Sequence, residues 1–172
     1  MALLGCDYGE LSRLALMSPA GAEGVTLLPY FEGERTPDLP LSKASLHGLT
    51  LQNSTRANLA RAAIEGMLAS QMVLVEASRA CGVDVERLFL IGGAAKSPAV
   101  QHVLAQIVDV PLLIPEPGEY VAIGAAKQAI AAFTGDFADW SPTVRQVPEA
   151  TSEEVIMDQH WAARHALGYG VT

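Results

Sequence analysis

The sequence predicts an α/β fold, and three observations carry that prediction. Two continuous apolar runs, residues 88–91 and 111–115, have the length of buried strands. Each run is followed by a segment with helical periodicity, the first beginning at Ser97 and the second at Glu119. Hydrophobic residues make up 50% of the 172 positions, which supplies a sizeable core. Because fully apolar strands joined by helices usually pair in parallel, we expect a parallel β-α-β unit here.

The residues between and after these runs complete that unit. A glycine-bearing turn, Gly92 to Lys96, follows the first run, and Ser97 with Pro98 has the pattern of a helix N-cap followed by proline at the first helical position. Beyond residue 135 the pattern weakens. We expect a surface connection there, and then a last helix over residues 153–167.

The first half of the chain predicts an amphipathic opening helix, short strands at residues 25–28 and 46–51, and one long helix. Ser54 or Thr55 is placed to cap the long helix, and Gly82 is placed to end it. Six residues, mostly small, recur along it at helical spacing: Leu59, Ala63, Gly66, Ser70, Val73 and Ala77. Because glycine inside a helix costs roughly 1 kcal/mol relative to alanine, Gly66 predicts a close approach by another backbone.

Charge and cysteine content restrict the classes of function. The chain has 19 acidic and 11 basic residues and a net charge of −8, which argues against a nucleic-acid binder, because such affinity rests on basic residues. A single nucleotide needs no net positive charge. Two cysteines, Cys6 and Cys81, are too few for a disulfide framework and favour the cytoplasm. The most apolar stretch, residues 121–133, is shorter than the roughly 20 residues of a membrane-spanning helix.

The glycine turn at Gly92 and Gly93 is the first candidate site. Glycines allow a backbone to approach a phosphate or a ring, and the helix beginning at Ser97 offers free N–H groups and a positive dipole end. The alternative is structural, because any sharp turn between a strand and a helix favours small residues. Lys96 has the same two interpretations, a phosphate contact or a solvated side chain.

Four segments, in order along the chain, carry a resemblance to a known family. Residues 33–37 form a Gly-Glu-Arg-Thr-Pro loop, and residues 44–65 match a family signature through Leu46, Gly48, Asn58 and Glu65 among others. Residues 91–97 resemble an adenosine motif, and residues 119–126 resemble the segment that packs behind it. Over residues 21–135 the chain thus resembles the FGGY family of carbohydrate kinases, and the xylulose kinases within it.

The resemblance implies the fold and the domain limits. The fold would be the ribonuclease H-like C-terminal domain of the actin-like ATPases, in partial form. Residues 1–135 would belong to the C-terminal kinase domain, incomplete on its N-terminal side, and residues 136–172 would be a connection and last helix of the same domain. An N-terminal kinase domain would be the partner, and part of the apolar surface would face the missing portion.

The resemblance also implies a nucleotide site. Gly92, Gly93 and Ala94 would line the nucleotide, with Ser97 within reach of the adenosine or the α-phosphate. Ala94 stands where the family commonly has a third glycine, and its methyl group would narrow the pocket. ATP is the implied cofactor, with Mg²⁺ held mainly by other parts of the enzyme. The family's catalytic aspartate and phosphate loops have no counterpart in this chain, so no catalytic residue or metal ligand is assigned.

The implied reaction is transfer of the ATP γ-phosphate to the terminal hydroxyl of a ketopentose, D-xylulose, by the parent enzyme, with this chain inactive alone. Two alternatives stay open: a family kinase acting on glycerol, gluconate or ribulose, and a non-catalytic binding or assembly module that forms oligomers.

Three further groups of residues have structural interpretations. Glu34 and Arg35 would form a local ion pair, or Arg35 would stabilise the loop toward the domain interface. For Glu65, pairing with Arg61 one helical turn away and a chemical role both stay open. The four histidines have no metal-ligand spacing, so none is given a metal.

Overall fold

The structure is a computed structural model that describes residues 4–36, 38–137, 139 and 141–169. This part of the chain contains five α-helices and five short strands. In order they are α1 (Tyr8–Leu16), β1 (Thr26–Leu28), β2 (Ser45–His47), α2 (Arg56–Ala80), β3 (Leu88–Phe89), α3 (Pro98–Ile107), β4 (Leu112–Pro115), α4 (Tyr120–Thr134), β5 (Val144–Gln146) and α5 (Glu154–Ala166). The α/β class predicted from the sequence is therefore confirmed.

Local sequence determines where the helices begin and end. The Asp7 carboxylate accepts from the Glu10 N–H at the start of α1, and the Thr55 hydroxyl accepts from the Asn58 N–H at the start of α2. After α2, Gly82 adopts a left-handed φ of +85°, and the Val83 N–H reaches back to the Ser78 carbonyl. The predicted caps of α2 are thus confirmed. At α5, by contrast, the side chain of the N-cap residue Glu153 makes no capping hydrogen bond.

The core lies where α1, α3 and α5 pack around α2. Its apolar side chains come from all four helices, from β4 and from Val147. The small-residue stripe predicted on α2 is wrong as a description of the buried face. The buried set is Asn58, Ala60, Arg61, Ala62, Ile64, Glu65, Gly66, Leu68, Ala69 and Met72. Because the first half of α2 is covered on nearly every side, no single stripe describes it.

Gly66 allows β1 to pack directly against α2. A Cβ atom at this position would lie 2.1 Å from the carbonyl oxygen of Leu27, far inside van der Waals contact. The close backbone approach predicted from the sequence is confirmed.

A left-handed turn at Ala20–Gly24 connects α1 to β1. Gly21, Ala22 and Glu23 have φ values of 74°, 47° and 52°. Such a backbone conformation is strained in residues other than glycine, at roughly 1–2 kcal/mol each. Side chains of α2 hold the turn: the Gly21 N–H donates to Glu65 Oε1 over 2.9 Å, and Asn58 Nδ2 donates to Glu23 Oε2 over 2.7 Å.

The strands form two small sheets. β1 pairs with β2 in antiparallel orientation, and the second sheet has the order β3-β4-β5. β3 and β4 are parallel, as the sequence predicts, with Leu88 opposite Leu112. The strand predicted at 46–51 is instead Ser45–His47. Gly48 ends it with a φ of +72°, where a Cβ would meet the Gly24 carbonyl oxygen at 2.1 Å.

The predicted surface connection contains a strand that the sequence analysis missed. β5 pairs with β4 in antiparallel orientation, and the next residue, Val147, is buried and donates its N–H to the Leu112 carbonyl over 2.8 Å.

α4 differs from the other helices because it buries none of its residues. Val121 and Phe133 are 88% and 92% exposed, although Lys127 is the only charged residue in the helix. The packing of this segment behind the glycine turn, implied by the family resemblance, is therefore not seen in the described residues. Within the same part of the chain, no helix is both long enough and apolar enough to cross a membrane.

Candidate nucleotide cleft

A cleft of about 660 Å³ opens at the carboxyl ends of the parallel strands β3 and β4. In open α/β sheets, ligands bind at this edge, and the volume lies within the range of small-molecule sites. The turn after β3 forms one wall, the segment between β4 and α4 forms a second, and β5 with the residue before it forms the third. Lining residues include Ile91, Gly92, Gly93, Ala95, Lys96, Gln101, Glu116, Glu119, Tyr120, Thr143 and Arg145.

Two glycines of the turn after β3, Gly92 and Gly93, line the cleft, and we call them its glycine floor. Gly92 has a φ of +86°, which favours glycine, and begins the sharp turn out of β3. No atom lies within 4 Å of where a Cβ would stand at Gly92 or Gly93. The glycines therefore leave open space at the backbone, and packing inside the protein does not require both of them to be glycine.

The backbone of the following 3₁₀ turn, Gly93–Lys96, supplies hydrogen-bond donors. The first N–H groups of such a turn, those of Gly93 and Ala94, have no acceptor inside it. The Ala95 N–H donates to the Gly92 carbonyl. Ala94 is exposed and is not part of the cleft wall.

The hydroxyl group of Ser97 is already hydrogen-bonded within the protein at the start of α3. Its hydroxyl caps the helix by accepting from the Val100 N–H, and it donates to Ser12 Oγ over 3.2 Å. The Ala99 N–H in turn donates to Ser12 Oγ. The expectation of free N–H groups at this helix start is therefore wrong. Pro98 has no N–H, and the next two are bonded to serine hydroxyls.

Charged side chains of both signs surround the cleft. Lys96 and Arg145 supply cations, and Arg145 is positioned by a 3.1 Å hydrogen bond from Nη2 to Gln101 Oε1. Glu116 and Glu119 supply the opposing charge. Sequence reasoning found Lys96 and missed Arg145. The Val-Arg-Gln-Val alternation at 144–147 is the signal that could have located it.

The remaining polar residues of the family signature lie in the core, away from the cleft. Arg61 Nε and Glu65 Oε1 are 2.6 Å apart, and both side chains are almost fully buried. Burial raises the pKa of Glu65 above its ordinary value, and the Arg61 guanidinium and the Gly21 N–H oppose that rise. Of the two roles left open for Glu65, the structure shows the pairing with Arg61.

The loop at 33–36 also has a structural arrangement. Glu34 Oε1 accepts from the N–H groups of Arg35, at 2.7 Å, and Thr36. The carboxylate of Glu34 thus stabilises its own turn through backbone N–H groups, which is a structural role but neither of the two arrangements considered from the sequence. Pro37, the last residue of the predicted motif, lies outside the described residues.

The histidines are dispersed. Within the described ranges no three His, Cys, Asp or Glu side chains are grouped so that they could hold a metal ion. His160 is 1% exposed and lies in the core.

These features define a class of protein: an α/β domain with a nucleotide-sized cleft at the carboxyl edge of parallel strands. Residues 6–133 match the sequence profile of the FGGY family of carbohydrate kinases, C-terminal domain. The chain belongs to this family.

Individual relatives agree with that assignment. The chain is 39% identical over 130 residues to a xylulose kinase from Haemophilus influenzae, covering 76% of this chain and 26% of the relative. A glycerol kinase from Deinococcus radiodurans is 33% identical over 141 residues, covering 77% of this chain and 28% of the relative. The crystal structure of xylulose kinase from Bifidobacterium adolescentis superposes with a TM-score of 0.84 at 44% identity, covering 95% of this chain and 33% of that one.

The fold is accordingly the ribonuclease H-like, actin-like ATPase fold of the sugar kinases. The chain spans about a quarter to a third of the length of these relatives.

Proposed function

We propose that the cleft holds the adenosine part of ATP, in a carbohydrate kinase that transfers the γ-phosphate to a sugar. The observation that carries the proposal is the glycine floor at the carboxyl ends of β3 and β4. Open space beside Gly92 and Gly93, in a cleft of about 660 Å³, fits a planar base and ribose.

The donors along the cleft suit the nucleotide's polar groups. Gly93, whose N–H begins the turn, and Lys96 both lie on the cleft wall. The Ser97 hydroxyl does not contact the nucleotide in this proposal, because it caps α3. Its role is to position the turn that precedes α3. Ala94 has no contact role in this proposal, because it is not among the residues that line the cleft.

Calorimetric titration of the chain with ATP, ADP and adenosine tests this site. We expect a dissociation constant on the order of 1 mM. Gly93→Ala should abolish measurable binding without unfolding the chain, because the added methyl has room in the protein but enters the cleft.

Lys96→Gln should weaken the binding of ATP more than the binding of adenosine. Lys43→Gln, an exposed lysine on the β1–β2 connection, is the matched control. A folded chain that binds no nucleotide at millimolar concentration would contradict the proposal.

We propose D-xylulose as the sugar of the parent enzyme. The Gly-Glu-Arg-Thr-Pro loop and the higher identity to the xylulose kinase than to the glycerol kinase support it. Phosphoryl transfer needs a positioned base and Mg²⁺ ligands around the reacting phosphate. We assign those groups, and the Mg²⁺, to the rest of the enzyme.

A kinase assay that measures ADP release in the presence of D-xylulose, ribulose, gluconate or glycerol tests the sugar substrate and the location of the catalytic groups. The chain alone should produce no sugar-dependent ADP. The same chain within a full-length enzyme should prefer D-xylulose. Turnover by the chain alone would contradict the assignment of the catalytic groups, and preference for another sugar would contradict the substrate.

We propose that the N-terminal part of such a kinase covers α4 and the free edge of β3. α4 buries no residue, and Phe89 in β3 and Ile91 just after it are half exposed. Co-expression with the N-terminal two-thirds of the Haemophilus influenzae relative should give a complex that Val121→Asp weakens. Lys127→Gln on the same helix is the control. A chain that instead forms a defined homo-oligomer through α4 would favour the assembly-module alternative.

We propose a cytoplasmic location for the parent enzyme. The low cysteine count supports it.

A further inference from the structure

A small cavity lies where β1 and α5 pack against the first half of α2. Its volume is about 10 Å³, at the lower limit of the room that one water molecule needs. Its wall carries four polar side chains, Thr26 from β1, Glu65 from α2, and Gln159 and His160 from α5. Organic ligands are excluded by size, whereas size and polarity both suit water.

His160 needs a hydrogen-bond partner at this place. Its side chain is 1% exposed, and within the described residues neither ring nitrogen has a partner. A buried polar atom left unpaired destabilises the folded state. Folded proteins usually satisfy such atoms with protein groups or with ordered water.

Two neighbouring side chains offer complementary groups. Gly21 N–H and Arg61 Nε–H both donate to Oε1 of Glu65, which leaves its Oε2 available to accept. Thr26 Oγ1 donates to Gln159 Oε1 over 3.3 Å, which leaves the NH₂ group of Gln159 available to donate. Together with an imidazole nitrogen these make three partners, the number that buried waters typically have.

We propose that one ordered water occupies this cavity, accepting from Gln159 Nε2 and donating to Glu65 Oε2 and to a ring nitrogen of His160. The water would connect α5 to α2 across β1. It requires a neutral imidazole, because only the neutral ring has an acceptor nitrogen. Burial, reinforced by the charge of Arg164, lowers the pKa of His160 to about 4, which keeps the ring neutral near pH 7.

A crystal structure of the chain, at a resolution that shows ordered waters, tests the site directly. We expect a density peak within about 3.2 Å of a His160 ring nitrogen and of Glu65 Oε2. An empty cavity would overturn the proposal. So would a His160 ring that has turned to bond a protein group.

Oxygen-17 relaxation dispersion, which counts long-lived waters, tests it in solution. His160→Phe should remove one long-lived water relative to the unmodified chain, because phenylalanine fills the ring position and has no nitrogen. His165→Phe, at an exposed position of the same helix, should leave the number unchanged. An unchanged number in folded His160→Phe would overturn the proposal. Should His160→Phe not fold, the crystal structure of the unmodified chain decides.

Discussion

At the scale of single residues, Gly66 shows how one hydrogen atom determines the packing of a strand against a helix. The Leu27 carbonyl occupies the space of a Cβ at position 66. Gly66→Ala should therefore destabilise the chain by about 2–3 kcal/mol, although alanine is the better helix former. Gly124→Ala in α4, where no atom lies within 4 Å of the Cβ position, is the matched control and should not destabilise. Urea unfolding monitored by circular dichroism measures both, and equal effects would contradict the packing explanation.

His160 gives a prediction for the dependence of stability on pH. Burial, with the Arg164 charge acting in the same direction, lowers its pKa from 6.5 to about 4 in the folded chain. Between these values the unfolded chain binds the proton and the folded chain does not. This contribution to stability is present above pH 6.5 and is lost as the pH falls towards 4, by about 3 kcal/mol in total.

Urea unfolding at pH 7 and at pH 4.5 checks this dependence. His160→Phe should lose less stability than the unmodified chain over that interval, because it has no imidazole to protonate. Carboxylates with lowered pKa values, such as Glu10 and Asp109, contribute equally to both proteins. An identical loss in the two proteins would contradict the role of His160.

At the scale of elements, the sequence predicted what local chemistry determines. The caps of α2, the left-handed Gly82, the Ser97 cap and the parallel pairing of β3 with β4 all follow from short patterns. The buried face of α2 does not. Its core contains Asn58, Arg61 and Glu65, whose partners lie in the distant turn Ala20–Gly24 and in α3. A search for apolar periodicity does not detect buried polar residues of this kind.

β5 was missed for a related reason. All three of its residues are exposed, so the alternation at 144–147 is a weak signal, and the strand is defined by its pairing with β4. Arg145 reaches the cleft by that pairing. The glycine floor, in contrast, could be predicted because a sharp turn after a strand requires particular residues.

The element-scale role of Asn58 is to hold the left-handed turn against its backbone strain. Its side chain donates to the Glu23 carboxylate and the Asn53 carbonyl, and accepts from Ser18 Oγ. Asn58→Ala should lower the free energy of unfolding by about 2–3 kcal/mol, since buried partners lose their bonds. Gln71→Ala, at an exposed position of α2, is the control and should change it by less than about 0.5 kcal/mol. Chemical denaturation measures both, and a change as small in Asn58→Ala as in the control would contradict this role.

At the scale of the whole molecule, the 50% hydrophobic composition divides into two parts. One part fills the core around α2. The other lies exposed on α4, near the cleft whose third wall comes from β5. The relatives are about three times as long as this chain, and in our proposal a further segment of the kinase buries that exposed surface. The net charge of −8 argues against a nucleic-acid surface, and in our proposal the cleft binds ATP through backbone groups and the two cations Lys96 and Arg145.

Hydrogen exchange distinguishes the packed helices from α4 in the isolated chain. A helix of 15 residues without tertiary packing is marginally stable in water, so the amides of α4 should exchange rapidly. α3 has only 10 residues but is buried on one face, and its central amides should exchange at least about a hundredfold more slowly. Mass spectrometry of peptides from the two helices measures this ratio. Because α3 is the shorter helix, slower exchange there cannot result from length. Equal protection of α3 and α4 in a monomeric chain would show that α4 is stabilised without a partner, and would contradict the proposed docking surface.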